Sequence, residues 1–447
     1  MREPLGAGCL HAVLDASLDI GGADEVEARA VHAWGGLARF ARSAIHQHVA
    51  TDDTSISVRV VTGGRIGVAS TNDATPAGAA GAAARALAAA RLSPPDPTYP
   101  GLAGPAALPD IGRRFDEATA TASPALRSRA VTQLLACLGP GQVAAGAIST
   151  GATEVALVTT AGARLHGVAT RSAASTVVMG GGASGHGEDA AVALDDLSPA
   201  EVGARAARTA AAAVDPVTAE AGTYEVVLLP GAVATLLDHL ASAFSAKVFA
   251  EDRSPFSGRL GEACVSPLLD LADDALGEGA LGVAFDGEGT PRQRVTLLAG
   301  GAARGLVHDR TSAAAAGTDS TGHGLAAPNP YGPVADHLVL APGSSGVEEL
   351  IAGIQRGLVV TRFWYTRDVN PKRTLVTGMT RDGTFLIEGG RRGPPVRNLR
   401  YNQSIIEALA GCDGVGDQLG HSSDEGSDIR APALRLRSFS FTSASDH

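Results

Sequence analysis

Asp238 and His239 lie side by side in the stretch LPGAVATLLDHLASAFSAKVF, residues 229–249. A helical zinc site places two His one turn apart with a Glu beside the first, so that both imidazoles face one ion and the carboxylate activates its water. Here the residue four after His239 is Ala243, and no His-Glu pair occurs anywhere in the chain. A site of that kind cannot form on this segment, and the Asp238–His239 pair reads as solvated or interface-facing rather than as a catalytic dyad.

Other segments carry chemistry-bearing residues. His46 and His48 sit two apart in AIHQHVA, on one face of a strand, with no third ligand in view. Asp286 and Glu288 occupy the glycine turn FDGEGTP, where paired carboxylates serve acid–base work or, more commonly, the turn itself. Ser320, Thr321 and His323 crowd the loop GTDSTGHG; without a G-x-S-x-G elbow it reads as a backbone-lined loop facing a cleft. Arg362, Trp364 and Arg367 group in VTRFWYTRD, either as an interface or as a core strand with snorkelling arginines.

The elements that must position these residues follow from periodicity. Tyr224–Leu229 is an apolar run of strand length, broken by Pro230-Gly231. Val233, Leu236, Leu237, Leu240, Phe244 and Val248 then recur at helical spacing, with Asp238, His239 and Ser242 on the opposite side. Upstream, residues 24–48 predict two strands around Gly35-Gly36, and residues 54–71 a hairpin bent at Gly63-Gly64. Helices are expected over 77–92, 124–138 and, from a Ser cap, 198–216; strands over 142–180; a flexible loop over 180–189. Beyond residue 220, short apolar runs with turn signals between them predict an antiparallel β-barrel-like unit with a few helices, two of them at 347–357 and 402–411. The expected fold class is α+β, with a mixed α/β-sheet domain at 1–220 and the β-barrel-like domain at 221–447.

Composition limits the partners. The formal charge is −11 and no basic run is long, which argues against nucleic acid. No apolar stretch reaches membrane-spanning length, the N-terminus has no basic and apolar leader pattern, and Cys9, Cys137, Cys264 and Cys412 are far apart. A cytoplasmic protein with reduced thiols is expected.

The order of LLDHLASAFSAKVF, SPFSGRLGE, FDGEGTP, LLAGGAARGLVHD, STGHG, APGSSGVEELIAGIQRGLVVT and GTFLIEGG resembles the TldD/PmbA family, as do GLARFARSAIHQHV and SVRVVTGGRIGVASTN near the N-terminus. The resemblance runs from about residue 20 to 442 and rests on many weak motifs in order. It implies two subunit types: a TldD type, whose His-Glu-x-x-x-His helix and late cysteine hold a divalent metal, zinc above all, and a TldE (PmbA) type that keeps the helix without the ligands. Asp238, His239 and Ala243 stand at the places of the first His, the Glu and the second His. Cys412, in LAGCDGVG, departs from the setting of the metal-binding cysteine, and VTRFWYTRDVNP departs from the best-known members. The resemblance therefore implies a TldE-like chain with no metal or catalytic residue of its own, paired with a TldD-like subunit as a heterodimer. The pair would hydrolyse peptides or small amides such as N-acyl groups, the latter as in relatives from natural-product pathways. Asp238, His239, Ser242 and His323 are the candidate chamber- or partner-facing residues. A stand-alone binding or regulatory protein, and a self-sufficient hydrolase built on His323 or on His46/His48, are the alternatives.

Overall fold

The computed structural model describes residues 3–422 and 427–444. After helix α1 (Ala7–Asp15) come strands β1 (Glu25–Ala41), β2 (Ala44–Thr62) and β3 (Arg65–Thr71), then α2 (Pro76–Leu92), α3 (Glu117–Ala120) and α4 (Pro124–Leu135). Strands β4 (Val143–Thr159), β5 (Arg164–Gly180) and β6 (Ala183–Ala191) and helix α5 (Pro199–Ala212) complete the first half. The six strands form one antiparallel sheet in the order β3-β2-β1-β4-β5-β6. Even-numbered residues of β1 point to the helices: Val26, Ala28 and Ala30 pack with α1 and α2, and Ala38 and Phe40 with α4 and α5. Thr75 and Ser123 cap α2 and α4 by accepting backbone N–H bonds, whereas the Ser198 side chain makes no capping bond to α5.

The expected turn at Gly35-Gly36 does not occur. β1 runs straight through, and the chain reverses at Arg42-Ser43, both at positive φ. The two glycines answer a different need. A Cβ at Gly35 would lie 2.6 Å from the Thr150 carbonyl oxygen of β4, and one at Gly36 would lie 2.3 Å from the buried Arg127 guanidinium. Close approach, not reversal, excludes a side chain there. The Gly63-Gly64 reversal occurs as expected, and residues 183–191 are the edge strand β6 instead of a flexible loop.

In the second half, β7 (Gly222–Leu228) leads into α6 (Pro230–Ala241), a 3₁₀ turn at Ser242–Phe244 and α7 (Ala246–Ala250). Strands β8 (Leu271–Asp273), β9 (Val295–Ala299) and β10 (Ala302–Ala303) precede α8 (Arg310–Ala316) and β11 (His337–Leu340). Then come α9 (Val347–Ala352), β12 (Arg356–Asn370), β13 (Leu375–Glu388), β14 (Arg391–Pro395), β15 (Leu399–Ser404), α10 (Ile405–Ala410), β16 (Cys412–Ser422) and β17 (Asp428–Ala444). These eleven strands form one sheet. It is mixed, since β7 runs parallel to β12 and β11 parallel to β17, which corrects the expectation of a purely antiparallel unit. The pairs β7–β12, β12–β13, β13–β15, β15–β17 and β17–β7 close on themselves. Helix α6 lies against this circuit and buries Val233, Leu236, Leu237 and Leu240, each about 1% exposed or less. The two halves meet where Val283 and Phe285 cover Leu157 and Leu165 on the helix-free face of the first sheet.

Truncating Leu240 to Ala removes a fully buried side chain from the largest core and should cost about 2–5 kcal/mol. Asp238→Ala, one step around the helix on its exposed face, should stay within roughly 0.5 kcal/mol of the parent. Urea unfolding of the two variants checks the contrast.

Candidate functional site

The stripe of α6 turned away from the core carries Gly231, Thr235, Asp238 and His239, and Ser242 continues it. Two cavities adjoin it, sharing Glu188, Gly231, Arg362 and Ser422 in their linings. One, of 310 Å³, is walled by Asp238, His239 and the outer part of β12, including Trp364 and Thr366. The other, of 260 Å³, runs past the start of α6 to the first half, where His186 on β6 and Arg205 and Thr209 on α5 close it. The cleft is thus built from both halves of the chain.

Its polar groups are held by neighbours. His239 Nδ1 is 3.0 Å from Asp368 Oδ1 on β12. The Arg362 guanidinium pairs with Asp382 at 2.9 Å and lies over the Trp364 ring, 4.9 Å from its centre. Ser184 donates to the other oxygen of Asp382 at 2.6 Å, which ties β6 to β13. Burial, and then the neighbouring Arg362 and Arg205, push His186 down to about 3, so its imidazole is neutral at physiological pH. The cleft therefore offers guanidinium charge, a neutral imidazole and the carboxylates of Glu188, Asp189 and Asp238.

Two residues weighed against metal ligands in the sequence resemblance, Ala243 and Cys412, are both buried. Ala243 is buried and has no donor, and it sits in the 3₁₀ turn, off the register of α6. Cys412 is buried, its thiol donates toward the Gly414 carbonyl, and burial pushes it up to about 11, so it is not a ready thiolate. His46 and His48 are exposed on β2, and His48 approaches Ser128 at 3.4 Å.

A different group of potential ligands, Asp273, Asp336 and His337, does converge within 4.8 Å. Its charge is already balanced. Arg292 donates to both oxygens of Asp336 at 2.9 and 3.2 Å. His337 faces Asp336 Oδ1 at 2.7 Å with one ring nitrogen and the Leu281 carbonyl at 2.8 Å with the other. Two acceptors require two N–H groups, so this ring is an imidazolium; against the cost of burial, Asp336 raises its pKa. The imidazolium has no lone pair for an ion, and the two carboxylates are already engaged, Asp336 by the donors just named and Asp273 by the His337 N–H.

His323 belongs to the same buried network. Its side chain is fully removed from solvent, with Nε2 2.9 Å from Asp273 Oδ1 and Nδ1 2.8 Å from Thr321 Oγ1. The order Thr–His–Asp is that of a nucleophilic triad, but the Thr321 hydroxyl also accepts from His308 N–H at 2.8 Å. His323 does not line the α6 cleft. Asp286 is likewise spent on structure: it accepts from the N–H groups of Glu288, Thr290 and Gly324, tying its own turn to the His323 loop. Glu288 accepts only from Arg310 N–H at 2.9 Å, and burial raises its carboxyl to about 7. Of the residues singled out in the sequence, the structure brings Asp238, His239, Arg362 and Trp364 together. His186, Glu188 and Arg205 were missed; nothing local marks them, because long-range folding brings them to α6.

The profile of the PmbA/TldA metallopeptidase C-terminal domain matches residues 221–443, that of domain 1 matches 26–90 and that of the central domain matches 100–214. The chain belongs to the TldD/PmbA family of metallopeptidase-like proteins. A metalloprotease TldD homolog from Haemophilus influenzae is 27% identical over 218 residues, which is 48% of this chain and 45% of that protein. A metalloprotease from Methanothermobacter thermautotrophicus is 24% identical over 218 residues, 48% of each chain. The chain thus spans about half the length of the curated relatives it matches. In structure it is similar to TldE from Thermococcus kodakarensis, with a TM-score of 0.87 at 20% identity over 98% of this chain and 100% of that one.

The raised Glu288 carboxyl gives a pH test. Its folded value of about 7 exceeds the ordinary glutamate value of 4.5, so the folded state binds more protons between these limits and stability falls as pH rises through them. Glu288→Gln keeps an acceptor for Arg310 N–H and removes the charge. It should stabilise the protein by about 1–3 kcal/mol at pH 8 and by much less at pH 4.5. Urea denaturation at the two pH values measures the difference.

Proposed function

We propose that this chain is the TldE (PmbA)-type subunit of a two-subunit amide hydrolase, supplying chamber wall and substrate contacts but not the metal. The observation that carries this reading is α6 itself: an exposed Asp238–His239 pair lines a cavity, while the position one turn further on is a buried alanine. A TldD-like partner would hold a divalent metal, zinc by the chemistry of a His-Glu-x-x-x-His helix, and would polarise the amide and activate water.

In this reading Asp238, His239 and Ser242 face the shared chamber or the partner. His323 works from behind, fixing the glycine loop through Thr321 and Asp273. The acidic, polar cleft suits an extended peptide or a small N-acyl amide and does not suit nucleic acid. No helix among the described residues is long and apolar enough to cross a membrane, and a cytoplasmic complex fits the spaced, free cysteines. Residues 1–220 and 221–447 act as two units whose junction forms the cleft.

Co-expression with a TldD-like subunit tests this. The two should purify as a heterodimer that hydrolyses peptide or N-acyl amides and is inhibited by chelators, while the isolated chain is inactive. Asp238→Ala should leave folding intact and change only the activity of the complex. Hydrolysis by the isolated chain at the rate of the mixture, unaffected by chelation, would overturn the proposal.

A further inference from the structure

A further cavity, of 750 Å³, lies elsewhere along the junction of the two halves. The loop 110–114 and the end of β6 form one wall, the loop 276–279 another, and His421 and Arg430 the floor. Two guanidinium groups meet there. Arg114, 5% exposed, donates through Nη2 to the carbonyls of Ala275 and Gly277 at 3.1 and 3.0 Å. Arg430 donates through Nη1 to the Glu278 carbonyl at 2.6 Å. Each arginine thus spends one edge on holding the 275–278 loop.

Nη1 of Arg114 reaches the Arg113 carbonyl at 3.4 Å, but other donors of the pair are unused. Nε of Arg114, and both Nε and Nη2 of Arg430, are buried without a hydrogen-bond partner. Nε and Nη2 together are the edge of the guanidinium fork that takes a carboxylate through two parallel bonds. Asp428 does not fill that role: its nearer oxygen is 3.8 Å from Arg430 Nε, beyond hydrogen-bond range. Both its oxygens are engaged elsewhere, Oδ1 by His421 at 2.6 Å and Oδ2 by Leu281 N–H at 2.8 Å. Burial and, next, the charge of Arg430 lower the pKa of Arg114, the mark of two cations sharing a poorly solvated space. Unmade bonds on buried charged groups are costly, and an anion supplied from outside would satisfy them.

We propose that this cavity binds the carboxylate of a small organic acid or peptide end, seated on the Nε–Nη2 edge of Arg430 beside Arg114. Asp110 and Glu278 stand in the same lining and disfavour a dianion, which selects a singly charged carboxylate over phosphate. The volume admits a ligand of a few residues' size behind its charged end. The site lies apart from Asp238 and His239 and does not depend on the subunit reading.

Isothermal titration of the full chain with N-acetylglycine, its C-terminal amide and inorganic phosphate tests the assignment. The acid should bind, with the amide and phosphate at least tenfold weaker. Arg430→Lys keeps the charge but not the two-donor edge, and Arg430→Gln removes both; each should weaken the acid at least tenfold while circular dichroism stays that of the parent. Where an Arg430 variant fails to fold, the contrast between acid and amide on the parent chain decides. Equal binding of acid and amide, tighter binding of phosphate, no binding at all, or full affinity in folded Arg430→Lys would each overturn the proposal.

Discussion

Leu236, Leu237 and Leu240 leave water almost completely when α6 settles against the second sheet, and much of the site's character follows from that burial. With one face of a twelve-residue helix committed to the core, the opposite stripe is fixed in direction. Gly231, Thr235, Asp238 and His239 can then only face the junction with β6, α5 and β12. A rotation of one residue would put Leu240 into the cleft and Asp238 into a core without a partner for it, at a cost of several kcal/mol. The chemistry of the cleft is therefore set by which residues happen to occupy that stripe, and the packing does not change if they are altered.

The helix was legible because its apolar stripe recurs over several turns, and so was the exposure of Asp238 and His239. Its break was not. From Leu229 to Phe249 the spacing continues unbroken, yet the structure turns at Ser242–Phe244. The cause is a distant segment: Val307 donates its N–H to the Phe244 carbonyl and accepts from Ala246 N–H, taking groups that a continuous helix would have used. The stack of Phe244 on Phe256, with ring centres 4.9 Å apart, adds to the hold. Such tertiary competition for backbone bonds leaves no periodic trace in the sequence.

Glycine was misleading for a related reason. GGGASGHGED has the composition of a loop, but Gly185 and Gly187 lie in β6 beneath α5, where a Cβ would come within 2.1 Å of the Ala206 carbonyl and 2.2 Å of the Val202 carbonyl. The glycine content reports the nearness of a helix, as at Gly35 it reports the nearness of a neighbouring strand. In a chain with 4% aromatic residues and 56 glycines, close backbone contact takes over much of the filling that large side chains provide elsewhere. The same shift hid His186 and Glu188, which reach the cleft only because β6 is a strand with alternating faces.

The titratable residues that drew attention in the sequence fall into two groups, and burial separates them. His323, Asp286 and Glu288 sit inside, where each must find partners, and two of them are consumed in doing so: His323 by Thr321 and Asp273, Asp286 by three backbone N–H groups. Glu288 accepts one backbone N–H, and burial pushes its carboxyl up to about 7; burial raises Asp286 as well, against the pull of its three N–H donors. Asp238 and Ser242 sit outside with water to solvate them, so nothing in the fold demands their presence. A residue the fold does not need is free to be chosen by a ligand or a partner. By that criterion the exposed stripe of α6, unlike the histidine-rich interior, is free of structural duty.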